Sequence, residues 1–431
     1  MLKRFLFSAL AAASVAQAEP APNIILMIGD GMGVSHTTAY RYFADESRPA
    51  RPTVLDEMLV GMSRNTPDDD YLITDSAAGA TALSAGIKTY NGAIAVDNNK
   101  QPVPTVLELA KERGYQTGVI STVQVNHATP ASFLAHNEAR RNYHELADDY
   151  LDEKIKDQFK FDVLLGGGTD YFVRNDRDLT EEFKQAGGTY IDDWSELEKT
   201  NSLPLMGLFA PVNLPYVVDT DDKDVTRLAT MVSKATDLLD DAGKPFFLMA
   251  EGGMIDWCSH DNDIACTMYE MTDFANGVQA AKDYVDAHPN TLLVITADHE
   301  TGGLSVGGYH TKQWKPAIVK QVHRAIVTLA DDILAAEPEQ APKLVAAAVD
   351  FELTDKEVKQ LVRDRRTGSR DIIRQRLRDM INERTITGWT SLNHSAGDIQ
   401  IFAYGQGAEA FRGSMENNVI GQKLIDLVTQ D

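Results

Sequence analysis

Six short segments rich in apolar residues recur along the chain, at 23–28, 117–120, 161–165, 245–250, 291–296 and 399–404. Each is too short for a typical helix, and its apolar positions are consecutive rather than alternate. That is the pattern of a strand covered on both faces. Stretches of helical composition separate them, for example 105–113 and 226–239. Strands alternating with helices predict an α/β fold in three layers, α/β/α, around a mostly parallel central sheet. In such sheets active sites gather beyond the carboxyl ends of the strands, so the residues that follow each apolar run carry the functional information.

The segment 306–390 breaks this rhythm. It is helical in composition at 343–349, 355–365 and 369–381, carries three basic clusters, and contains no strand-like run. We read it as a helical insertion, or crown, between the last two core strands of a single domain spanning 19–431, expected to cap a site mouth or build a dimer interface. The other end of the chain has a different purpose. Lys3 and Arg4 precede an apolar run from Phe5 to Val15, and Ala16-Gln17-Ala18 is a small-x-small cleavage site. This predicts a signal peptide over 1–18 and a periplasmic or secreted mature protein. No later segment has about 18 consecutive apolar residues, so no membrane span is expected.

Charge narrows the function classes. The chain of 431 residues is 43% hydrophobic and 24% charged, with a formal net charge of −23. Loss of Lys3 and Arg4 lowers this to about −25. Such a field repels nucleic acid and anionic membrane. An anionic small-molecule substrate would need a local attractor, and a cluster of divalent cations would supply one.

Candidate ligands for such cations sit beside the predicted strands. Asp30 ends the first apolar run, Glu251 ends the run at 245–250, and Asp298-His299 follows the run at 291–296. Asp256 and His260 are spaced i, i+4, so one helical turn aims both at a single ion. His394 precedes the last run, with His310 as a competing ligand. Carboxylates mixed with imidazoles suit Zn²⁺, whereas an all-oxygen set of Asp30, Glu251 and a threonine suits Mg²⁺. Any one of these residues by itself reads more simply as a polar loop residue, a cap or a hydrogen-bonded histidine; five strand-end coincidences together are harder to dismiss. The stretch Thr74-Asp75-Ser76-Ala77-Ala78-Gly79-Ala80-Thr81 has two readings of its own. One is an ordinary helix cap by Asp75 or Ser76; the other is a helix N-terminus that favours an anion beside Ser76.

Asp75-Ser76-Ala77-Ala78-Gly79-Ala80-Thr81 resembles the nucleophile signature of the alkaline phosphatase family. Further blocks resemble that family in the same order: Ile28-Gly29-Asp30-Gly31-Met32-Gly33, His127-Ala128-Thr129-Pro130-Ala131-Ser132, Glu251-Gly252-Gly253-Met254-Ile255-Asp256, Thr296-Ala297-Asp298-His299-Glu300-Thr301-Gly302-Gly303, and His394 before Phe402-Ala403-Tyr404-Gly405. The resemblance implies hydrolysis of small phosphate monoesters through a phosphoserine at Ser76. It places one Zn²⁺ on Asp256, His260 and His394, a second on Asp30, Asp298 and His299, and a Mg²⁺ on Asp30, Thr129 and Glu251. Arg140, with Arg141 beside it, takes the place of the arginine that grips two phosphate oxygens, oriented by Asp75. The family's frequent homodimers extend to this chain as an expectation.

Two positions depart from the best-known bacterial pattern. His127 and Trp257 stand where an aspartate and a lysine border the magnesium and the phosphate, which implies a weaker Mg²⁺ site and a substrate contact of different chemistry. Cys258 and Cys266 are the two cysteines of the chain. One continuous helix would hold their Cα atoms about 12 Å apart, too far to bridge; a loop at 261–263 would let them join. His36, His136, His144 and His323 read as surface or packing residues. The competing functional readings are a related phosphodiesterase or other hydrolase of the same superfamily, and a non-catalytic metal- or phosphate-binding module.

Overall fold

The computed structural model describes residues 21–221, 223, 225–308 and 310–430, so the predicted signal peptide lies outside the described residues. The first apolar run becomes β1 (Asn23–Gly29), in which Ile24 through Ile28 are fully buried. Nine further strands complete the main sheet: β2 (Leu59–Arg64), β3 (Gln116–Gln124), β4 (Val163–Gly167), β5 (Thr189–Ile191), β6 (Leu205–Leu208), β7 (Phe246–Gly252), β8 (Thr291–Thr296), β9 (Ile399–Gly405) and β10 (Gly413–Glu416). Their spatial order is β10-β2-β9-β8-β1-β7-β3-β4-β6-β5. Every neighbouring pair is parallel except the two made by β9, which runs against β8 and β2.

Alternate residues of the central strands feed two different cores. Ile25, Met27, Leu248, Leu293 and Ile295 pack into one layer, and Ile24, Leu26, Ile28, Phe247, Leu292 and Val294 into the other. Both faces are covered, as the unbroken apolar runs require. The predicted α/β/α arrangement is the observed one. Four strands gave no such run. β2, for instance, is only partly buried along most of its length, and near a sheet edge a strand needs no continuous apolar sequence.

The helices include α1 (Ser76–Ala85), α2 (Ala128–Leu134), α3 (Met254–His260), α4 (Ile264–Ala287), α5 (Ile326–Ala335), α6 (Ala341–Ala348), α7 (Asp355–Arg366) and α8 (Arg370–Thr385). The last four of these occupy the segment read as an insertion. Short strands Ser305–Val306 and Thr387–Gly388 pair antiparallel at its base, so the chain leaves and re-enters the body at one point. Its apolar faces, including Ile326, Leu329, Leu361, Ile373 and Leu377, belong to the same buried cluster as Ile25 and Ile295 of the sheet. One core therefore runs from the sheet into these helices.

The cysteine question turns on the break between α3 and α4. Asp263 caps α4, its side chain accepting from the Cys266 N–H at 3.1 Å, and the chain turns through 261–263. The two Cα atoms come to 5.4 Å and the sulfurs are bonded. Replacing both cysteines by serine is expected to cost about 2–3 kcal/mol of stability, the chain-entropy value for so short a loop, measured by urea unfolding. No loss would mean that Arg378 and Asn382, which donate to the carbonyls of Asp261 and Asn262 at 2.7 and 3.0 Å, already fix the turn. No helix among the described residues is long and apolar enough to cross a membrane.

Candidate active site

The parallel register brings the carboxyl ends of β1, β7, β3 and β8 to one edge. Ile28 stands opposite Glu251 and Thr296, and Glu251 opposite Ser121. Asp30 follows β1 directly, and Asp298-His299 begins two residues beyond β8. Gly31 lets the chain turn there. It sits at φ +74°, and a Cβ would lie 2.8 Å from Thr301 Oγ1 and 2.9 Å from Asp256 Cα. α3 adds Asp256 and His260 one turn apart. His394 arrives on a two-residue ribbon in which Thr301 faces it across the antiparallel pair, stacking its ring on His299 with centroids 3.5 Å apart.

Three sets of donor atoms result. His260 Nε2 lies 3.1 Å from His394 Nε2 and 3.4 Å from Asp256 Oδ2. His299 Nε2 lies 3.3 Å from Asp298 Oδ2, 3.6 Å from Asp30 Oδ1 and 3.1 Å from Ser76 Oγ. Donor atoms of Asp30, His127 and Glu251 lie within 4.8 Å of one another. The outer ring nitrogens are committed to backbone carbonyls, His260 Nδ1 to Leu392 at 2.6 Å and His394 Nδ1 to Thr74 at 2.9 Å. Donation there leaves each Nε2 lone pair facing inward, the tautomer a metal ligand needs.

Unpaired atoms provide the test of fit. Both oxygens of Asp30, Oδ2 of Asp298, Oε1 of Glu251, Oγ1 of Thr129 and Nδ1 of His127 are buried without a hydrogen-bond partner. Buried polar atoms are nearly always paired, and six lone-pair carriers collected at one edge are what divalent cations satisfy. Electrostatics agree. Burial, then repulsion from Asp298, Asp256 and Glu251, pushes the Asp30 carboxyl well above the usual range. Burial raises Glu251 to about 8 and Asp298 to about 7. His299 is held well below its ordinary value by burial, and then by His394 and His260, so its imidazole is neutral. His127, buried beside Arg140, is pushed down to about 3.

Ser76 is the first residue of α1 and Asp75 its cap, so the cap reading of that stretch holds and Ser76 stands at a helix N-terminus. Asp75 Oδ1 accepts from the N–H groups of Ala78 and Gly92 at 3.0 and 3.1 Å, while Oδ2 accepts from Arg140 Nη1 at 2.9 Å. Every residue of α1 is buried. A Cβ on Gly79 would sit 3.0 Å from Asp298 Cβ, so α1 approaches the Asp298 strand end closely at that position. Arg140 Nη2 reaches His127 Nε2 at 3.2 Å, and Arg141 is exposed, so Arg140 is the member of the pair that meets Asp75. Ser76, Arg140, His127 and Trp257 line a single cavity of about 1520 Å³.

Several supporting residues carried no signal in the sequence. Ser121 donates to Glu251, Thr301 to Asp256, and Asn65 to the Asp298 carbonyl. His36, read only as surface or packing, is fully buried beneath α3 against Ser259 at 3.0 Å. Single hydroxyls and amides have no periodicity or spacing to betray them. His310 is exposed and joins none of the donor sets. Glu108, His136 and Glu153 form a fourth acidic group, but the Lys160 ammonium fills it, pairing with Glu108 at 2.7 Å and with Glu153.

A serine at a helix N-terminus, beside buried carboxylates and imidazoles poised for divalent cations at the edge of a parallel sheet, defines a metal-dependent hydrolase of the α/β class. The family profile for alkaline phosphatase matches residues 21–429. The chain is 41% identical to alkaline phosphatase 3 of Bacillus subtilis, covering 98% of this chain and 95% of that protein. It is also 41% identical to alkaline phosphatase 4 of the same organism, over 92% and 86%. The crystal structure of a cold-active alkaline phosphatase from a psychrophilic Shewanella matches with a TM-score of 0.88 at 41% identity, over 95% of this chain and all of that one. The chain belongs to the alkaline phosphatase family. It is a phosphatase that hydrolyses phosphate monoesters, and the family's chemistry uses divalent metal cofactors.

Proposed function

We propose that Ser76 is the nucleophile and that hydrolysis passes through a phosphoserine. The observation that carries this is the contact of Ser76 Oγ with His299 Nε2 at 3.1 Å, at the mouth of the donor cluster and beside Arg140. Two Zn²⁺ ions would be held by Asp256, His260 and His394, and by Asp30, Asp298 and His299. A Mg²⁺ would be held by Asp30, Thr129 and Glu251, with His127 a further donor at that site. Bound there, the cations lower the pKa of hydroxyl groups and stabilise charge on the attacking and leaving oxygens.

The protein's own groups do the rest. Arg140, aimed by Asp75, takes two non-bridging phosphate oxygens in its planar fork. Ser76 Oγ forms a bond to phosphorus as the ester oxygen departs on the opposite side. Water then breaks the serine ester from the vacated side, so two inversions retain configuration. Trp257, whose ring centre is 6.0 Å from that of His127, borders the leaving group. The Cys258–Cys266 bond supports the export reading, because disulfides persist in oxidising compartments. The catalytic domain of 19–431 is proposed to carry 306–390 as an insertion over the mouth, supported by the α8 residues that line the cavity.

Rates on p-nitrophenyl phosphate, bis-p-nitrophenyl phosphate and p-nitrophenyl sulfate test the class. The monoester is expected to be the preferred substrate, and a faster diester or sulfate would overturn the reading. Arg140→Ala is expected to lower kcat/KM for the monoester by roughly 10²-fold, the scale for removing one charged donor from a reacting centre. Weaker inhibition by inorganic phosphate should accompany it. An unchanged inhibition constant would place Arg140 outside the phosphate site.

A further inference from the structure

The inner end of the cavity accounts for one phosphoryl group, yet its volume of about 1520 Å³ exceeds what even drug-sized ligands need, on the order of 300–1,000 Å³. Its outer wall is made by α8. Arg370, Arg374 and Arg378, spaced i, i+4, i+8, all line the cavity, as does Arg141 from the core. Successive members of such a ladder rise about 6 Å along one helix face. Two carboxylates, Asp261 and Asp371, line the cavity with the three guanidinium groups of α8. Asp261 is shared by Arg374 and Arg378, and Asp263, Asp371 and Asp379 also attract Arg378. Arg374 Nε is buried with no partner. Arg370 is held from behind by Asp331 of α5. Five arginines on one cavity, Arg140 included, stand out in a chain of net charge −23.

We propose that Arg374 and Arg370, with Arg141 across the cavity, form a distal anion subsite that selects phosphate monoesters whose leaving group carries a second anionic group, a phosphate or a carboxylate. The proposal rests on the monoesterase reading of the same cavity. Arg378 is a positioning residue in it, latching α8 to the turn at Asp261.

Three matched probes test it: phenyl phosphate, 4-carboxyphenyl phosphate and 4-(phosphonomethyl)phenyl phosphate. Hydrolysis of phenyl phosphate by the unaltered enzyme checks the monoesterase reading separately; its absence would sink that reading before the subsite is addressed. Given that activity, the ratio of kcat/KM for each probe with a second anionic group over phenyl phosphate should fall about tenfold in R374Q, the scale of one hydrogen bond to a charged group. The fall should be smaller in R374K, which keeps the charge, and R370Q should lower the ratio in the same sense. The ratio in the unaltered enzyme should also drop as salt is raised. A ratio unchanged in R374Q and R370Q, or an equal fall on all three probes, would overturn the subsite. Selectivity for the phosphonate alone, or for the carboxylate alone, would identify which anion the arginines take.

Discussion

Ser76→Ala is expected to lower kcat/KM on p-nitrophenyl phosphate by on the order of 10⁴-fold or more, the scale on which removal of a covalent nucleophile acts. The substitution should be nearly silent structurally. Ser76 is buried at the start of α1, but the cap of that helix is Asp75, which keeps its bond to the Ala78 N–H. The carboxylates and imidazoles are untouched, so metal content should match that of the parent. Acid quenching of the parent during turnover should trap label from ³²P-phosphate ester on the protein, and the variant should trap none. Activity retained within about tenfold would mean that water attacks directly and that the serine only binds.

Removal of divalent cations should abolish activity and also change how stability depends on pH. In the stripped protein the buried carboxylates repel one another. Their folded pKa values, about 8 for Glu251 and about 7 for Asp298, lie above the value of roughly 4 expected in the unfolded chain. Between those limits the folded state binds more protons than the unfolded state, so stability falls as pH rises. The stripped protein should be most stable near pH 4 to 5 and lose stability steadily through pH 8. Divalent cations bind the ionised forms, so the gap in Tm between loaded and stripped protein should widen over the same interval. Thermal unfolding at pH 5, 6, 7 and 8 with and without added cations measures this. A gap that stays constant with pH would mean that the carboxylates are not the cation ligands.

Much of the candidate centre was visible in order along the chain. Asp30, Glu251 and Asp298-His299 could be picked out because a parallel sheet delivers strand ends to one edge, and the apolar runs before them marked those strands. Asp256 and His260 could be paired because one helical turn links them. The disulfide stayed open at that level, since it depended on whether α3 and α4 were one helix or two, and Asp263 decides that by capping the second. His394 could be preferred to His310 only through family spacing. Its two-residue ribbon has too few positions to show a pattern, yet it is what stacks the ring on His299.

Periodicity, turn residues and ordered motifs thus determined the layers, the segment of the proposed nucleophile and the candidate donors at the strand ends, because these features are local and repeat along the chain. Tertiary structure alone decided which oxygens are left unpaired, which arginine of Arg140 and Arg141 meets Asp75, and that α8 turns three arginines toward the cavity. Those outcomes depend on how separate segments are packed together, and contacts between residues tens or hundreds of positions apart leave no period in the sequence to read.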